Sequence, residues 1–330
     1  MANQDALTWR ILLGQLTSDP VERQRAALVL GVNPITIIRW VHDKSNPRAD
    51  SLRALLKAFP NYQQQFVELI HMEIPGFFTE GGVLDEPIKE IPSAFYSNIL
   101  RTYMNNPPSW RPLIRITILQ QLLTHLDPSY LGLAASISLC VPPAQGQGVR
   151  SVREVLGRAN SPWHTHLENR TQFLGVESLP GNAVATGHPV TIQNRSEKAL
   201  LFPTHEVEWE ESALAYPIFS SNHIAGCLYL SSTQAGYFLE ERLDIVRSYI
   251  DLIALTLEQR EFYTPSQIVL GTMPPYRIQL PYLKTLQARV SHYLKDMQNV
   301  RLVTRLEAEM VVVKELETLL LEMPYNGDGT

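Results

Sequence analysis

Two apolar runs on either side of a short polar turn decide the fold of the middle of this chain: Ser212-Ala-Leu-Ala-Tyr-Pro-Ile-Phe219 and His223-Ile-Ala-Gly-Cys-Leu-Tyr-Leu230, joined by Ser220-Ser-Asn222. Short apolar runs that flank a turn of small polar residues are typical of a β-hairpin. Gly226 gives the second run a point at which a strand can bend. We therefore expect residues 212–230 to form two antiparallel strands.

The segments around this hairpin predict a mixed α+β domain over residues 93–260. Residues 131–140 alternate between two faces with the period of a strand. Residues 93–105 and 111–126 have helical spacing, and residues 239–259 form an amphipathic helix. The apolar stripe of that last helix consists of Leu243, Val246, Ile250, Ile253 and Leu257. This order of elements predicts an antiparallel sheet with flanking helices.

Residues 261–330 predict an α-helical C-terminal extension, which begins as an irregular Pro-rich stretch and becomes helical from Pro281. Its last helix carries an apolar stripe at 3, 4, 3 spacing, with Leu320 seven residues further on. The stripe consists of Val303, Leu306, Met310 and Val313. Two heptads fit two interpretations equally well: a helix that faces a partner subunit, and a helix that folds back on the preceding domain.

Several segments of the middle domain resemble GAF domains, in the order in which that family has them. In Leu179-Pro-Gly-Asn-Ala-Val-Ala-Thr-Gly187-His-Pro189-Val-Thr-Ile192 a short helix ends at a glycine and a proline leads into a strand. The hairpin and residues 238–243 complete the match. The resemblance implies a sensing or dimerising domain that encloses a small ligand between its sheet and residues 163–202. A ligand-free GAF domain used only for dimerisation is the alternative.

Four histidines and two cysteines in this domain raise metal or haem binding as a further alternative. They are His164, His166, His188 and His205, with Cys140 and Cys227 in apolar strands. The first two histidines are a pair in a polar loop, without a third ligand at a defined spacing, so we expect no metal and no cofactor. Cysteines in apolar strands are usually small buried hydrophobic residues.

Residues 1–74 predict a separate all-α domain of about five short helices, followed by a Gly- and Pro-rich linker at residues 75–92. Its central stretch is Arg23-Gln-Arg-Ala-Ala-Leu-Val-Leu-Gly31-Val-Asn33-Pro34-Ile-Thr-Ile-Ile-Arg39-Trp40. Gly31 suits the left-handed backbone that ends a helix. Asn33 suits the N-cap of the next helix, and Pro34 its first position. Both ends of a tight turn between two helices are therefore specified.

This stretch resembles the helix-turn-helix of the lambda-repressor-like (XRE) family, and the match covers roughly residues 7–68. The small Ala27 permits a close helix crossing, and Ile37 and Trp40 share the buried side. The DNA-binding positions that the resemblance implies are Asn33, Pro34, Ile35, Thr36, Arg39, Lys44, Ser45 and Arg48. Pro34 and Ile35 replace the amide side chains often found there, which removes that route to adenine. A helical bundle that docks on proteins is the alternative.

The implied contacts fit the chemistry of these side chains. Arg39 suits a bidentate contact to guanine, and Ile35 and Thr36 suit thymine methyl groups. Lys44, Ser45 and Arg48 suit phosphates. The net charge of the chain is −5, yet residues 20–57 carry seven basic and three acidic side chains, so that window is +4 and the remainder is −9. A cluster of basic residues in an otherwise acidic chain favours a surface that binds phosphates.

The remaining features narrow the class of protein. Two cysteines and a start without a signal peptide predict a cytoplasmic location, and no apolar run predicts a membrane partner. Gly146-Gln-Gly148 lacks the third glycine of a dinucleotide motif, and no other catalytic motif occurs, so we expect no enzyme. We predict a homodimeric transcriptional regulator that binds double-stranded DNA and an unidentified small-molecule effector. A signalling adaptor whose two domains bind proteins is the alternative.

Overall fold

The computed structural model describes residues 8–47, 49–73, 90–128, 131–160, 162–163, 171–298 and 300–323. The chain divides into two compact units. The helical unit comprises residues 1–89, 124–133 and 160–163, and the sheet unit comprises residues 90–123, 134–159 and 164–330. Most of the predicted linker lies outside the described residues, and the domain boundaries stay predictions.

The helical unit contains, in its described residues, the five short helices that the sequence predicts. They are α1 (Trp9–Leu16), α2 (Pro20–Leu30), α3 (Pro34–Val41), α4 (Ala49–Ala58) and α5 (Gln63–Glu73). Prolines or glycines lie at the breaks between them, as expected from their backbone constraints. Trp9, Leu13, Ile37, Leu55 and Phe66 are fully buried in the shared core. The helices therefore derive their stability from one common apolar centre.

The turn between α2 and α3 has the predicted chemistry. Gly31 adopts a left-handed conformation, with φ 63°. The backbone N–H of Val32 donates to the carbonyl of Ala27 at 3.0 Å, which satisfies a carbonyl at the end of α2. The side chain of Asn33 accepts from the N–H of Ile35 at 3.0 Å, and Pro34 is the first helical residue. The turn is thus fixed from both sides.

The described part of the sheet unit contains a sheet of six strands in the order β3-β2-β1-β6-β5-β4. They are β1 (Leu133–Cys140), β2 (Val152–Ala159), β3 (Phe173–Leu174), β4 (Val190–Ile192), β5 (Ser212–Ser220) and β6 (His223–Ser232). The β5–β6 hairpin is confirmed, with antiparallel pairing from Ser212–Ser232 to Ser220–His223. The predicted strand at residues 131–140 begins two residues late, because the N–H groups of Leu131 and Gly132 donate to the carboxylate of Asp127.

Helices flank the sheet at α6 (Ser93–Asn105), α7 (Arg111–Leu126), α8 (Leu179–Thr186), α9 (Arg195–Leu201) and α10 (Glu240–Leu255). Helix α8 packs on the hairpin, where Ala183 and Val184 join the core that contains Ala215 and Cys227. Helix α8 ends at a left-handed Gly187, as predicted. Helix α10 ends at Leu255 rather than at residue 259, and a separate short turn closed by a Glu258–Glu261 capping box follows it.

The C-terminal extension forms α11 (Tyr276–Leu283), α12 (Leu286–Met297) and α13 (Arg305–Leu321). Helix α11 begins five residues before the predicted start at Pro281, which lies inside it near its end. Helix α13 folds back on the sheet unit, because Val312 and Leu316 are buried in a cluster with Val141 of the segment after β1 and Phe173 of β3. Of the two interpretations of the last helix, the one in which it folds back on the preceding domain therefore agrees with the structure.

The buried face of α13 is only partly the predicted one. Val313 is buried, whereas Leu306 and Met310 are 64% and 49% exposed. Polar contacts hold the helix in place: the Ser151 hydroxyl donates to the buried Glu317 carboxylate at 2.6 Å, and Arg153 pairs with Glu309 at 3.2 Å. Such contacts between α13 and residues 151–153 have no periodicity in the sequence. None of the described helices is long and apolar enough to cross a lipid bilayer.

Candidate functional site

Helix α3 presents one exposed face in the helical unit. Ile37 and Trp40 are buried, as predicted, whereas Ile35 and Ile38 are 64% and 38% exposed. Arg39 is exposed, and Pro34 and Thr36 are half-buried. The predicted contact positions along α3 therefore reach solvent to different degrees. Asn33 has a structural role as well, since its side-chain oxygen caps the helix.

The loop after α3 is held by Arg10, a residue to which no sequence motif assigns a role. The Arg10 guanidinium donates to the carbonyl of Trp40 at 3.1 Å and to the Asn46 side chain at 2.8 Å. It also pairs with Asp43 at 3.2 Å, and Asp43 has a left-handed backbone with φ 53°. These contacts join residues at least 30 positions apart, so no local pattern predicts them. They fix the segment from which the exposed Lys44 projects.

Fewer basic side chains of residues 20–57 are free to bind phosphates in the structure than the sequence suggests. Arg23 donates to the carbonyls of Thr17 and Ser18 at the end of α1, at 3.0 and 3.1 Å. Arg25 pairs with Glu22 at 2.8 Å. Among the basic side chains of this window that the structure describes, Arg23 and Arg25 are thus occupied within the chain. Arg39 and Lys44 are exposed, and Ser45 is half-buried. Arg48 lies outside the described residues, so its predicted phosphate contact stays a prediction.

The predicted ligand region of the sheet unit contains a buried polar network. Lys198 of α9 pairs with Glu210 and donates to the hydroxyl of Tyr229 at 3.1 Å. The Tyr229 hydroxyl donates to Glu210 at 2.6 Å, and Ser231 is also hydrogen-bonded to Glu210. Burial and the neighbouring carboxylate raise the pKa of Tyr229 well above its ordinary value. No local sequence pattern predicts this network, because its members come from α9, a loop and β6.

The histidines and cysteines do not form one cluster among the described residues. His188 is exposed beside the carbonyl of Thr186, and His205 is buried with its ring 5.4 Å from that of Tyr229. His164 and His166 lie outside the described residues. Cys140 and Cys227 are buried, as predicted. Burial raises the pKa of Cys140 to about 12, so its thiol is protonated at neutral pH.

Comparison with known proteins identifies one domain. A family model described as a GAF domain matches residues 115–257. No curated protein matches the chain. Similar solved structures include the GAF domain of an Acinetobacter phosphoenolpyruvate-protein phosphotransferase, at 14% identity and a TM-score of 0.35 over 49% of this chain and 90% of that chain. The GAF-B domain of DevS from Mycobacterium smegmatis has 14% identity and a TM-score of 0.31 over 46% and 92%.

One similar structure corrects an expectation. The type II free methionine-R-sulfoxide reductase from Thermoplasma acidophilum has 15% identity and a TM-score of 0.34 over 44% of this chain and 92% of that chain. The expectation that the chain is not an enzyme is therefore wrong, because it excluded enzymes and the fold is compatible with enzymes as well as with sensors. The family match, rather than these low structural scores, carries the assignment: residues 115–257 of this chain form a GAF domain, a module common in sensing and signalling proteins.

Proposed function

We propose that this chain is a sequence-specific DNA-binding transcriptional regulator, in which the helical unit binds double-stranded DNA and the GAF domain senses an effector or holds a dimer. The observation that carries the proposal is the α2–turn–α3 arrangement. Its left-handed Gly31, its Asn33 cap and its buried Ile37 and Trp40 leave Ile35 and Arg39 exposed on the face of the second helix. A second helix with a free outer face is what a helix-turn-helix inserts into the major groove.

The side chains of α3 and of the loop after it suit both kinds of DNA contact. Arg39 carries the donors for a guanine edge, and the apolar Ile35 and the Thr36 methyl group suit thymine methyl groups. Lys44 projects from a loop fixed by Arg10 and suits a phosphate. The first turn of α3, with Pro34 and the amide nitrogen of Asn33, lies beside these positions. Ser45 and Arg48 complete the proposed phosphate contacts.

The proposed homodimer needs apolar surface that the fold leaves exposed. The sequence predicts dimer contacts from two helices, α10 and the last helix of the chain. The stripe of α10 does not supply the surface, because Val246, Ile250 and Ile253 are buried within the sheet unit. Helix α6 does: Leu100 and Met104 lie one turn apart and are 47% and 81% exposed. We therefore place the dimer contact on α6 rather than on α10. A dimer supports the proposal, since one small reader contacts few base pairs and such readers commonly bind paired half-sites.

The test is selection of duplexes from a random DNA library by the full chain, followed by binding measurements over a range of salt concentrations. The proposal predicts enrichment of a defined sequence and an affinity that falls as salt rises, since phosphate contacts release counterions. No enrichment over repeated rounds, or an affinity equal for enriched and scrambled duplexes, would contradict it. Arg260→Ala is a control for charge alone, because this exposed arginine lies in the sheet unit.

An adaptor that binds proteins is the second candidate, and one observation favours it. Helices α2 and α3 expose apolar side chains close together in sequence: Leu28 is 76% exposed and Val29 is 45% exposed, seven and six positions before Ile35. Exposed apolar groups of this kind mark protein contacts when they form one patch. Leu28→Ser separates the candidates. It leaves DNA affinity unchanged if α3 reads DNA, and it weakens partner binding if the apolar residues are the contact.

A further inference from the structure

A large cleft lies within the sheet unit, at a place that the GAF resemblance does not predict. Its volume is 1460 Å³, which exceeds the roughly 300–1,000 Å³ of typical ligand pockets. Leu139 of β1 and Val155 of β2 line it, together with residues from the start of α7 and from α13. The cleft therefore depends on the C-terminal extension. It shares no lining residue with the predicted ligand region at 163–202.

Most of the cations that line the cleft already have carboxylate partners. Arg111 pairs with Glu258 at 2.9 Å, and Arg260 pairs with the other oxygen of the same carboxylate at 2.8 Å. Arg153 pairs with Glu309 at 3.2 Å. Lys314 pairs with Glu317 at 2.6 Å. These side chains are neutralised within the protein, so they add little attraction for a charged ligand.

Arg115 is different, and it lines the same cleft. Its Nε atom is buried and has no hydrogen-bond acceptor in the part of the chain that the structure describes. Burial lowers the pKa of Arg115, and Glu261 opposes that shift from a distance. The Glu261 carboxylate itself accepts from the N–H of Glu258 at 2.7 Å, so it is engaged elsewhere. The Arg115 guanidinium lines the cleft and forms no salt bridge with a described carboxylate, so an added acceptor that carries negative charge is complementary to it.

The other residues that line the cleft indicate how much negative charge the ligand carries and which chemical groups make up the rest of it. Five basic and five acidic side chains line the cleft, so its formal charge is balanced and one negative charge fits better than two. The apolar lining includes the exposed Leu306 and Met310 of α13. The unbranched, flexible methionine side chain adapts to aliphatic groups of varying shape. Apolar surface next to one available cation is complementary to an amphiphile.

We propose that this cleft binds a monoanionic amphiphile, a carboxylate with an aliphatic body, whose head group bonds to Arg115 and whose body contacts Leu139, Leu306 and Met310. The site is independent of DNA binding. It makes α13 part of the ligand site, so that a ligand there contacts the GAF sheet and the C-terminal extension together. The site is also separate from the buried Lys198–Glu210–Tyr229 network, whose residues do not line the cleft.

The test is isothermal titration of the full chain with octanoate, and with 1-octanol and acetate as matched probes for the body and the head group alone. We expect octanoate to bind at least ten times more tightly than either probe. Arg115→Gln lowers octanoate affinity at least tenfold and leaves 1-octanol unchanged. Arg101→Gln, at an exposed position of α6 outside the cleft, leaves all three unchanged.

A second variant keeps the test decisive if Arg115→Gln does not fold. Met310→Glu changes a half-exposed residue and adds negative charge to the cleft, so it also lowers octanoate affinity at least tenfold. Absence of octanoate binding, equal affinity for octanoate and 1-octanol, or octanoate affinity that neither variant changes would overturn the proposal. None of these outcomes bears on DNA binding, so failure here and failure of the proposed function are distinguishable.

Discussion

Among single residues, Asp127 makes the free energy of unfolding depend on pH, in a direction that can be predicted. Its carboxyl is buried and accepts from Asn160 Nδ2 at 2.6 Å and from the N–H of Leu131 at 2.7 Å, yet burial dominates and raises its pKa to about 6. The unfolded value is about 3.9. The folded state therefore binds the proton more tightly, and this contribution, roughly 3 kcal/mol, is lost as pH rises from about 4 through 6. Urea unfolding at pH 4.5 and 7 should show a smaller pH effect in Asp127→Asn than in the wild type, and an equal effect would contradict this account.

Among the contacts between elements, the Glu317 carboxylate is one of those that hold α13 on the rest of the sheet unit. Glu317 is fully buried, accepts from Ser151 and Lys314 at 2.6 Å each, and lies 3.7 Å from Arg150. Glu317→Ala should lower the free energy of unfolding by about 3 kcal/mol, the lower end for a broken buried pair, because Lys314 still reaches solvent. Glu315→Ala, an exposed neighbour on the same helix, should change it by less than about 0.5 kcal/mol. Equal effects of the two variants in urea unfolding would contradict the role of Glu317.

The elements also show what sequence patterns predict and what they do not. The β5–β6 hairpin, helices α6 and α7, and the Gly31 and Asn33 caps were predictable, because each depends on local periodicity or on a backbone requirement of one residue. Strand β2 was missed, because Val152–Ala159 carries arginines and a glutamate that contact other parts of the chain. The Arg10 contacts, the Lys198 network and the cleft were missed for the same reason: each joins residues that are far apart in sequence.

At the scale of the whole molecule, the proposed dimer makes a prediction about assembly. The double variant Leu100→Asp and Met104→Asp places two charges on the exposed face of α6 and should convert a dimer into a monomer in sedimentation at micromolar concentration. Leu200→Asp is the matched control, since Leu200 is 80% exposed on α9 and should leave the dimer intact. A wild-type monomer, or a dimer that survives the double variant, would remove α6 from the assembly.

The proposed function requires that the exposed face of α3 reads DNA sequence in a chain that carries a GAF domain. The most direct measurement compares wild type, Arg39→Ala and Lys44→Ala on the best selected duplex and on its scrambled version, at one salt concentration. We expect Arg39→Ala to weaken binding to the selected duplex by about 1–3 kcal/mol and barely to affect the scrambled one, since contacts to bases determine which sequence is bound. Lys44→Ala should weaken binding to both duplexes alike, since contacts to phosphates position the protein on DNA without distinguishing its sequence. Equal losses on both duplexes for Arg39→Ala would contradict the claim.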